Sequence, residues 1–196
     1  MRLRAVLSAL SIALALASAA IASAATPTIT VYFSPWDDAE GAIVAALKRA
    51  RQQVLVQAYL LTSQVIADEL MATQTRGVEV KVLADQEMAR KGNDKQLKRL
   101  HTAGLPVWLE TRYAAAHNKV IVIDSESDAP LVVTGSYNFT WSAQARNAEN
   151  LLVISGDRAL ALRYAGNWQR HRSDAIVYVA DAVPNRDSMP SAPTFK

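Results

Sequence analysis

From Thr28 to Phe33 the chain reads Thr-Ile-Thr-Val-Tyr-Phe, with side chains alternating in character and rich in β-branched and aromatic types, which predicts a strand. Pro35 ends it, and Asp37-Asp38 offers N-cap side chains for a helix on which Ile43, Leu47 and Ala50 recur at helical spacing. Val54 to Leu61 is a nearly continuous apolar run, as expected of a strand covered on both faces. Ser63 then caps a second helix carrying Ile66 and Leu70, which stops before Gly77. Val78 to Leu83 predicts a third strand. A polar helix or loop with Lys91, Lys95, Lys98 and Arg99 follows, and Pro106 to Leu109 predicts a fourth strand. This β-α-β-α-β-(α)-β order implies an α/β layered fold with a largely parallel sheet.

The rhythm changes after residue 110. His117 to Asp124 and Leu131 to Thr140 are strand-like runs joined by the polar, turn-forming segment Ser125 to Pro130. Glu149 to Ile154 predicts one more strand. Gly156-Asp157 precedes a helix whose Leu160, Tyr164, Trp168 and His171 share a face, which marks His171 as a packing residue. Residues 181–196, with Pro184, Pro190 and Pro193, read as a mobile C-terminal tail.

The first 24 residues have a different character. A basic head (Arg2, Arg4), an uncharged Ala- and Leu-rich run and a terminal Ala22-Ser23-Ala24 together describe a cleavable signal peptide, so residues 1–24 are expected to be removed and the protein to be periplasmic or secreted, with no stable membrane anchor afterwards. Cleavage changes the charge reading. The whole chain carries 21 Lys and Arg against 18 Asp and Glu, a net +3; without Arg2 and Arg4 the excess is one. Bulk basicity is therefore no argument for nucleic-acid binding. There is no cysteine, which excludes disulfides, thiolate metal sites and a cysteine nucleophile. The fold must rest on its core alone, which a single catalytic domain over residues 25–180 is long enough to build.

Candidate chemistry concentrates between residues 117 and 149. Alternation places His117 and Lys119 on one face of a strand and Asp124 on the other; Ser136 and Asn138 share a face across the turn, just after Gly135. An imidazole, an ammonium, a hydroxyl and an amide converging on one spot suit a phosphoryl group, with one nucleophile or proton donor and three groups for the non-bridging oxygens. The three histidines, His101, His117 and His171, form no known metal-ligand spacing with carboxylates, so neither a metal nor another cofactor is expected. Tyr59 and Tyr137 are open between lining the cleft and ordinary burial. The Lys91 to Arg99 cluster reads as a solvated helix face.

His117-Asn-Lys119, Asp124 and Gly135-Ser136-Tyr-Asn138 resemble the hallmark of the phospholipase D superfamily. Tyr32 to Pro35, Gln57-Ala-Tyr59, Arg76 to Lys81, Gly135 to Thr140 and Asn147 to Asn150 extend the similarity toward the small bacterial secreted endonucleases of that superfamily. The resemblance implies a layered α/β/α sandwich around a mixed, largely parallel sheet. It implies that His117 attacks phosphorus to form a phosphohistidine, that Lys119 and Asn138 hold phosphate oxygens, and that Ser136 supports the phosphate or the histidine. Glu149 matches the carboxylate that orients the histidine, whereas Asp124 and Gly135 belong to the motif as structural members, Asp124 by its parity.

Ten residues separate Asp124 from Gly135, four more than the family usually has; this predicts a longer hairpin, which bears on the site at most through the cleft rim. The motif occurs once. Double displacement needs a nucleophile and a separate acid, so a homodimer with a shared active site is expected, with Arg112 or Arg146 adding charge to the cleft. The implied activity is metal-independent cleavage of DNA, and of RNA as a further substrate, with hydrolysis of membrane phospholipid as the alternative.

Overall fold

The computed structural model describes residues 26–180; the expected signal peptide (1–24) and C-terminal tail (181–196) lie outside the described residues. Eight strands form one sheet in the order β1-β7-β6-β5-β2-β3-β4-β8. They are β1 (Thr28–Ser34), β2 (Gln53–Ala58), β3 (Glu79–Asp85), β4 (Val107–Glu110), β5 (Lys119–Ile123), β6 (Leu131–Gly135), β7 (Glu149–Ser155) and β8 (Ile176–Val177). The main helices are α1 (Ala39–Arg49), α2 (Gln64–Thr75), α3 (Lys95–Thr102), α4 (Trp141–Ala145) and α5 (Arg158–Ser173), with a short helical turn (Gln86–Met88) running into a π-turn (Ala89–Asn93) ahead of α3.

The mixed sheet between helical layers matches the expected sandwich, but its parallel share is smaller. Only β2–β3 and β3–β4 are parallel, and the other five pairings are antiparallel. The helical crossovers that force parallel neighbours end with β4. From β5 onward the chain returns by a hairpin into β6, which requires antiparallel pairing, and then through the segment bearing α4 into β7, which also pairs antiparallel.

Local signals account for most boundaries. Asp38, rather than Asp37, caps α1 by accepting from the Gly41 N–H at 2.8 Å, and Ser63 caps α2 through the Ile66 N–H at 3.2 Å. The strand expected over 54–61 ends at Ala58, because Tyr59 turns its N–H to the Asn118 carbonyl (2.8 Å) and Leu61 pairs with Phe139. The strand expected over 131–140 ends at Gly135, after which the N–H groups of Ser136 and Tyr137 both donate to the Asn150 carbonyl. Only glycine fits this corner. Its φ is 151°, and a Cβ there would lie 2.3 Å from the Asn150 oxygen.

Strand alternation divides the core in two. Val54, Val56, Val80, Val82, Ile121 and Ile123 meet Ile43, Leu47, Ile66, Leu70 and Leu100 of α1 to α3. On the opposite face Leu55, Leu83, Val120, Val122 and Val132 meet Ala161 and Trp168 of α5. Each fully buried aliphatic side chain contributes about 1.5–3 kcal/mol before chain entropy is counted. Polar contacts fix the position of α5. Trp168 donates to the Val56 carbonyl at 2.9 Å, and Arg172 lies over the Trp108 ring at 3.9 Å. His171, read from the sequence as a packing residue, instead binds the buried carboxylate of Glu110, which also accepts from Gln57.

Candidate active site

Strand register gathers the residues of the motif. Ala58 opposes Lys119, Val120 opposes Thr134, Gly135 opposes Leu151, and Ser34 opposes Glu149. One end of the sheet therefore holds the exits of β1, β2 and β6 and the entries of β5 and β7. His117, Lys119, Ser136, Asn138 and Glu149 all sit there, at the carboxyl end of the parallel strands where open α/β sheets place their ligands.

His117 is exposed, just ahead of β5. The Lys119 ammonium donates to its Nδ1 at 2.9 Å and to its carbonyl at 2.7 Å. Tyr59 packs against the imidazole with ring centroids 4.3 Å apart, and the same ring carries the Lys119 Nζ at 4.8 Å. The nucleophile candidate is thus held from two sides, by an ammonium and by an aromatic face. Its loop is held from below as well, because the buried carboxylate of Asp85 accepts from the Ala116 N–H at 2.7 Å while also accepting from the Met88 N–H.

Across the site, Ser136 Oγ donates to Glu149 at 2.6 Å and accepts from the Asn150 N–H at 3.0 Å. Glu149 accepts in turn from the Asn147 amide at 2.9 Å. Within the chain this carboxylate orients the serine and the asparagine, not the imidazole. Asn138 Oδ1 is buried without a hydrogen-bond partner. A buried unpaired amide oxygen costs about 1–3 kcal/mol, which makes Asn138 a group whose hydrogen bonding the fold leaves incomplete at the site. Tyr137 is fully buried and donates to Gln144. Burial, reinforced by the charges of Glu40, Asp38 and Glu149, raises its pKa far above the ordinary phenol value, so it stays protonated and takes no part in proton transfer.

One other member of the motif lies apart from this cluster. Asp124 stands at the far end of β5, and the 125–130 hairpin lies beyond it, so the longer turn does not touch the cleft rim as the sequence suggested. Strand direction decides this: β5 begins at the site and runs away from it. Arg112 is paired with Asp174 at 2.8 Å, while Arg146 lies over Trp141 at 4.8 Å.

Known proteins resemble the chain in sequence and in fold. The family described as "cardiolipin synthase, PLD-like domain" matches residues 43–171. The chain belongs to the phospholipase D superfamily. It is 36% identical over 150 residues to a phospholipase D of Rickettsia typhi, covering 76% of this chain and 71% of that protein. It is 30% identical over 135 residues to a mitochondrial cardiolipin hydrolase of Xenopus tropicalis, 68% of this chain and 61% of that one. Among solved structures, the phospholipase D family member Nuc from Salmonella typhimurium superposes with a TM-score of 0.69 at 28% identity, covering 79% of this chain and 99% of Nuc. NucT from Helicobacter pylori shares the fold, with a TM-score of 0.68 at 23% identity and 78% and 99% coverage.

For a phosphodiesterase of this superfamily, the sequence pointed to the motif but not to its supports. Asp85 is the one charge ending the apolar run Val82-Leu-Ala, which is the trace it leaves in the sequence. Its partner, the Ala116 N–H, has no sequence signature. Tyr59, left open between cleft and core, is a cleft residue.

Burial lowers the Lys119 pKa below the ordinary lysine value, and the Glu149 charge only partly offsets this. Between the lowered folded value and the unfolded one near 10.5 the unfolded chain holds the extra proton, so this group makes stability rise with pH across that window. Activity is expected to run the other way, because a neutral amine does not attract phosphate. A pH profile of kcat/KM is expected to fall on its alkaline side below 10.5, and Lys119→Arg to move that fall to higher pH.

Proposed function

We propose that this protein is an exported, metal-independent endonuclease that cleaves DNA, and RNA as a further substrate, through a covalent phosphohistidine. The observation that carries the reading is a single candidate catalytic set per chain, on a domain that corresponds to nearly the whole length of the phospholipase D family member Nuc. The basic head, apolar run and Ala22-Ser23-Ala24 support export to the periplasm or beyond. Among the described residues no helix is long and apolar enough to cross a membrane.

In this mechanism a ring nitrogen of His117 bonds to phosphorus as the P–O bond to the leaving strand breaks. Lys119 turns from the imidazole to a non-bridging oxygen, and the Asn138 amide takes another. The leaving oxygen needs a proton, and the described residues place no second imidazole beside His117; His117 of the partner subunit supplies it in a homodimer. Water then attacks phosphorus, the N–P bond breaks, and that same partner imidazole takes the water's proton.

An uncovered face supports the dimer. Ile29, Val31 and Phe33 are 65%, 46% and 48% exposed along one side of edge strand β1. Half-buried Leu152 and Ile154 oppose Val31 and Ile29 on the same side. Helix α5 covers this face of the sheet over β5, β6 and β2 but stops short of β1. The stripe ends at the Phe33–Asn150 pair, and Asn150 donates to Ser136, so a second copy seated there brings its own site beside the first. Val31→Asp is expected to yield a folded monomer by sedimentation, with activity reduced about a hundredfold or more. An active wild-type monomer would remove the shared site from the mechanism.

Phospholipid hydrolysis is the second reading, favoured by the 36% identity to the Rickettsia typhi phospholipase D. One panel separates the two. Mature protein is incubated with plasmid DNA, single-stranded DNA, RNA and phosphatidylcholine vesicles in excess EDTA. Nicking of nucleic acid with intact lipid is expected; lipid hydrolysis with intact nucleic acid would overturn the nuclease reading.

A further inference from the structure

Two tryptophans stand in solvent at the site end of the sheet. Trp36 is 83% exposed and Trp141 58% exposed, whereas Trp168 is buried and packs edge-on against Trp108, with ring centroids 6.1 Å apart. Hydrophobic burial gives no reason for either exposed ring, and disorder gives none either, because their supports are rigid. The turn bearing Trp36 is closed by the Asp37 N–H to the Phe33 carbonyl at 2.8 Å, and by the Phe33 N–H to the Asp37 carboxylate at 2.8 Å. Gln144 of α4 ties the two segments together, donating to the Asp37 carbonyl at 2.9 Å and accepting from the Glu40 N–H at 3.0 Å. Ser34 Oγ adds a bond to the Ala143 carbonyl at 2.6 Å.

Both rings are close in the chain to catalytic groups. Trp36 follows by two residues Ser34, the register partner of Glu149. Trp141 opens the short helix whose far end delivers Asn147 to the Glu149 carboxylate. Arg146 lies against the Trp141 ring at 4.8 Å, so one positive charge sits beside an aromatic surface.

We propose that Trp36 and the Trp141–Arg146 pair form a stacking rim for unpaired nucleobases next to the scissile phosphate, which makes single-stranded nucleic acid the preferred substrate. This rests on the nuclease reading. Unpaired bases present flat apolar faces to such rings, whereas a duplex keeps those faces inside its own stack. The acidic groups around Trp36 (Asp37, Asp38 and Glu40) select against a second phosphate at that ring and against an anionic membrane surface, leaving the uncharged face of a base as the fitting ligand. On the other side Arg146 supplies the charge that a neighbouring phosphate needs.

The test uses the mature protein carrying His117→Ala, so that bound strands stay intact. An eight-nucleotide oligothymidylate is expected to quench tryptophan emission, and an abasic octamer of the same length to bind about tenfold more weakly or worse. Adding Trp36→Ala or Trp141→Ala should each weaken oligothymidylate binding by about tenfold, with partial recovery in Trp36→Phe and Trp141→Phe. In the active enzyme, the ratio of kcat/KM for base-bearing over abasic single strands should fall to a similar extent. Equal affinity for the two octamers, or equal cleavage of duplex and single strand, would overturn the stacking rim. Quenching by phosphatidylglycerol vesicles without quenching by oligothymidylate would overturn it in favour of lipid. An enzyme that cleaves no nucleic acid at all removes the nuclease reading itself, whereas cleavage without quenching removes only this inference.

Discussion

His117→Ala is expected to lower phosphodiester hydrolysis by at least about 10⁴-fold, the scale on which enzymes lose rate when a covalent nucleophile is deleted. No other group at this end of the sheet can replace it. Tyr137 is buried and held protonated, Ser136 is committed to Glu149 and Asn150, and there is no cysteine in the chain. Because His117 is exposed, its truncation removes contacts to Tyr59 and Lys119 without opening a core cavity, so the melting temperature should change little. Single-turnover reaction of wild type with a phosphate-labelled substrate should trap an acid-labile, alkali-stable adduct that His117→Ala lacks. Activity retained within tenfold by the variant would mean that phosphorus is attacked by some other group.

The second large effect is on stability, at the opposite end of β5. Asp124 is 6% exposed. Its carboxylate accepts from the backbone N–H groups of Arg51, Gln52 and Gln53, each at 2.8 Å. Its own φ of 50° is a left-handed value that aspartate tolerates better than most side chains. Asp124→Ala leaves three donors unanswered where α1 turns into β2, and is expected to cost about 3–5 kcal/mol, a large part of a typical domain's stability. For a domain of this size that corresponds to a melting temperature lower by roughly 10 °C. Asp124→Asn keeps one acceptor and should recover part of the loss. Since β5 separates Asp124 from Lys119 by about 17 Å, kcat per folded molecule should be unchanged. A fall in kcat with unaltered melting would instead place Asp124 in the chemistry.

These two residues show how far spacing can be read. His117 and Lys119 lie two apart in a strand, so the pleat alone puts them on one side. The odd separation from Lys119 to Asp124 puts the aspartate on the other. Gly135 was legible as part of a motif, but its reason is tertiary: a side chain there would collide with the Asn150 carbonyl arriving from β7. Glu149 was legible as a site carboxylate, yet its partners within the chain are Ser136 and Asn147, because β7 enters beside the exit of β6. Asp85 and Tyr59 act through a loop and a ring more than thirty residues away in sequence, and no local pattern encodes such contacts.

The direction of strand pairing was open for the same reason. Periodicity announces a strand but not its neighbour, so the alternating first half suggested a parallel sheet that the second half then makes mainly antiparallel. What the amino-acid order determined unaided was most of the elements, though not α4 or β8, the absence of thiol chemistry and the candidate phosphoryl-binding side chains, all of which depend on residue type and short-range geometry. Only the tertiary structure decided where the long hairpin lies, which groups hold His117, and which apolar face and which two tryptophans remain open to solvent. Those follow from strand order and direction, properties of the whole sheet rather than of any one segment.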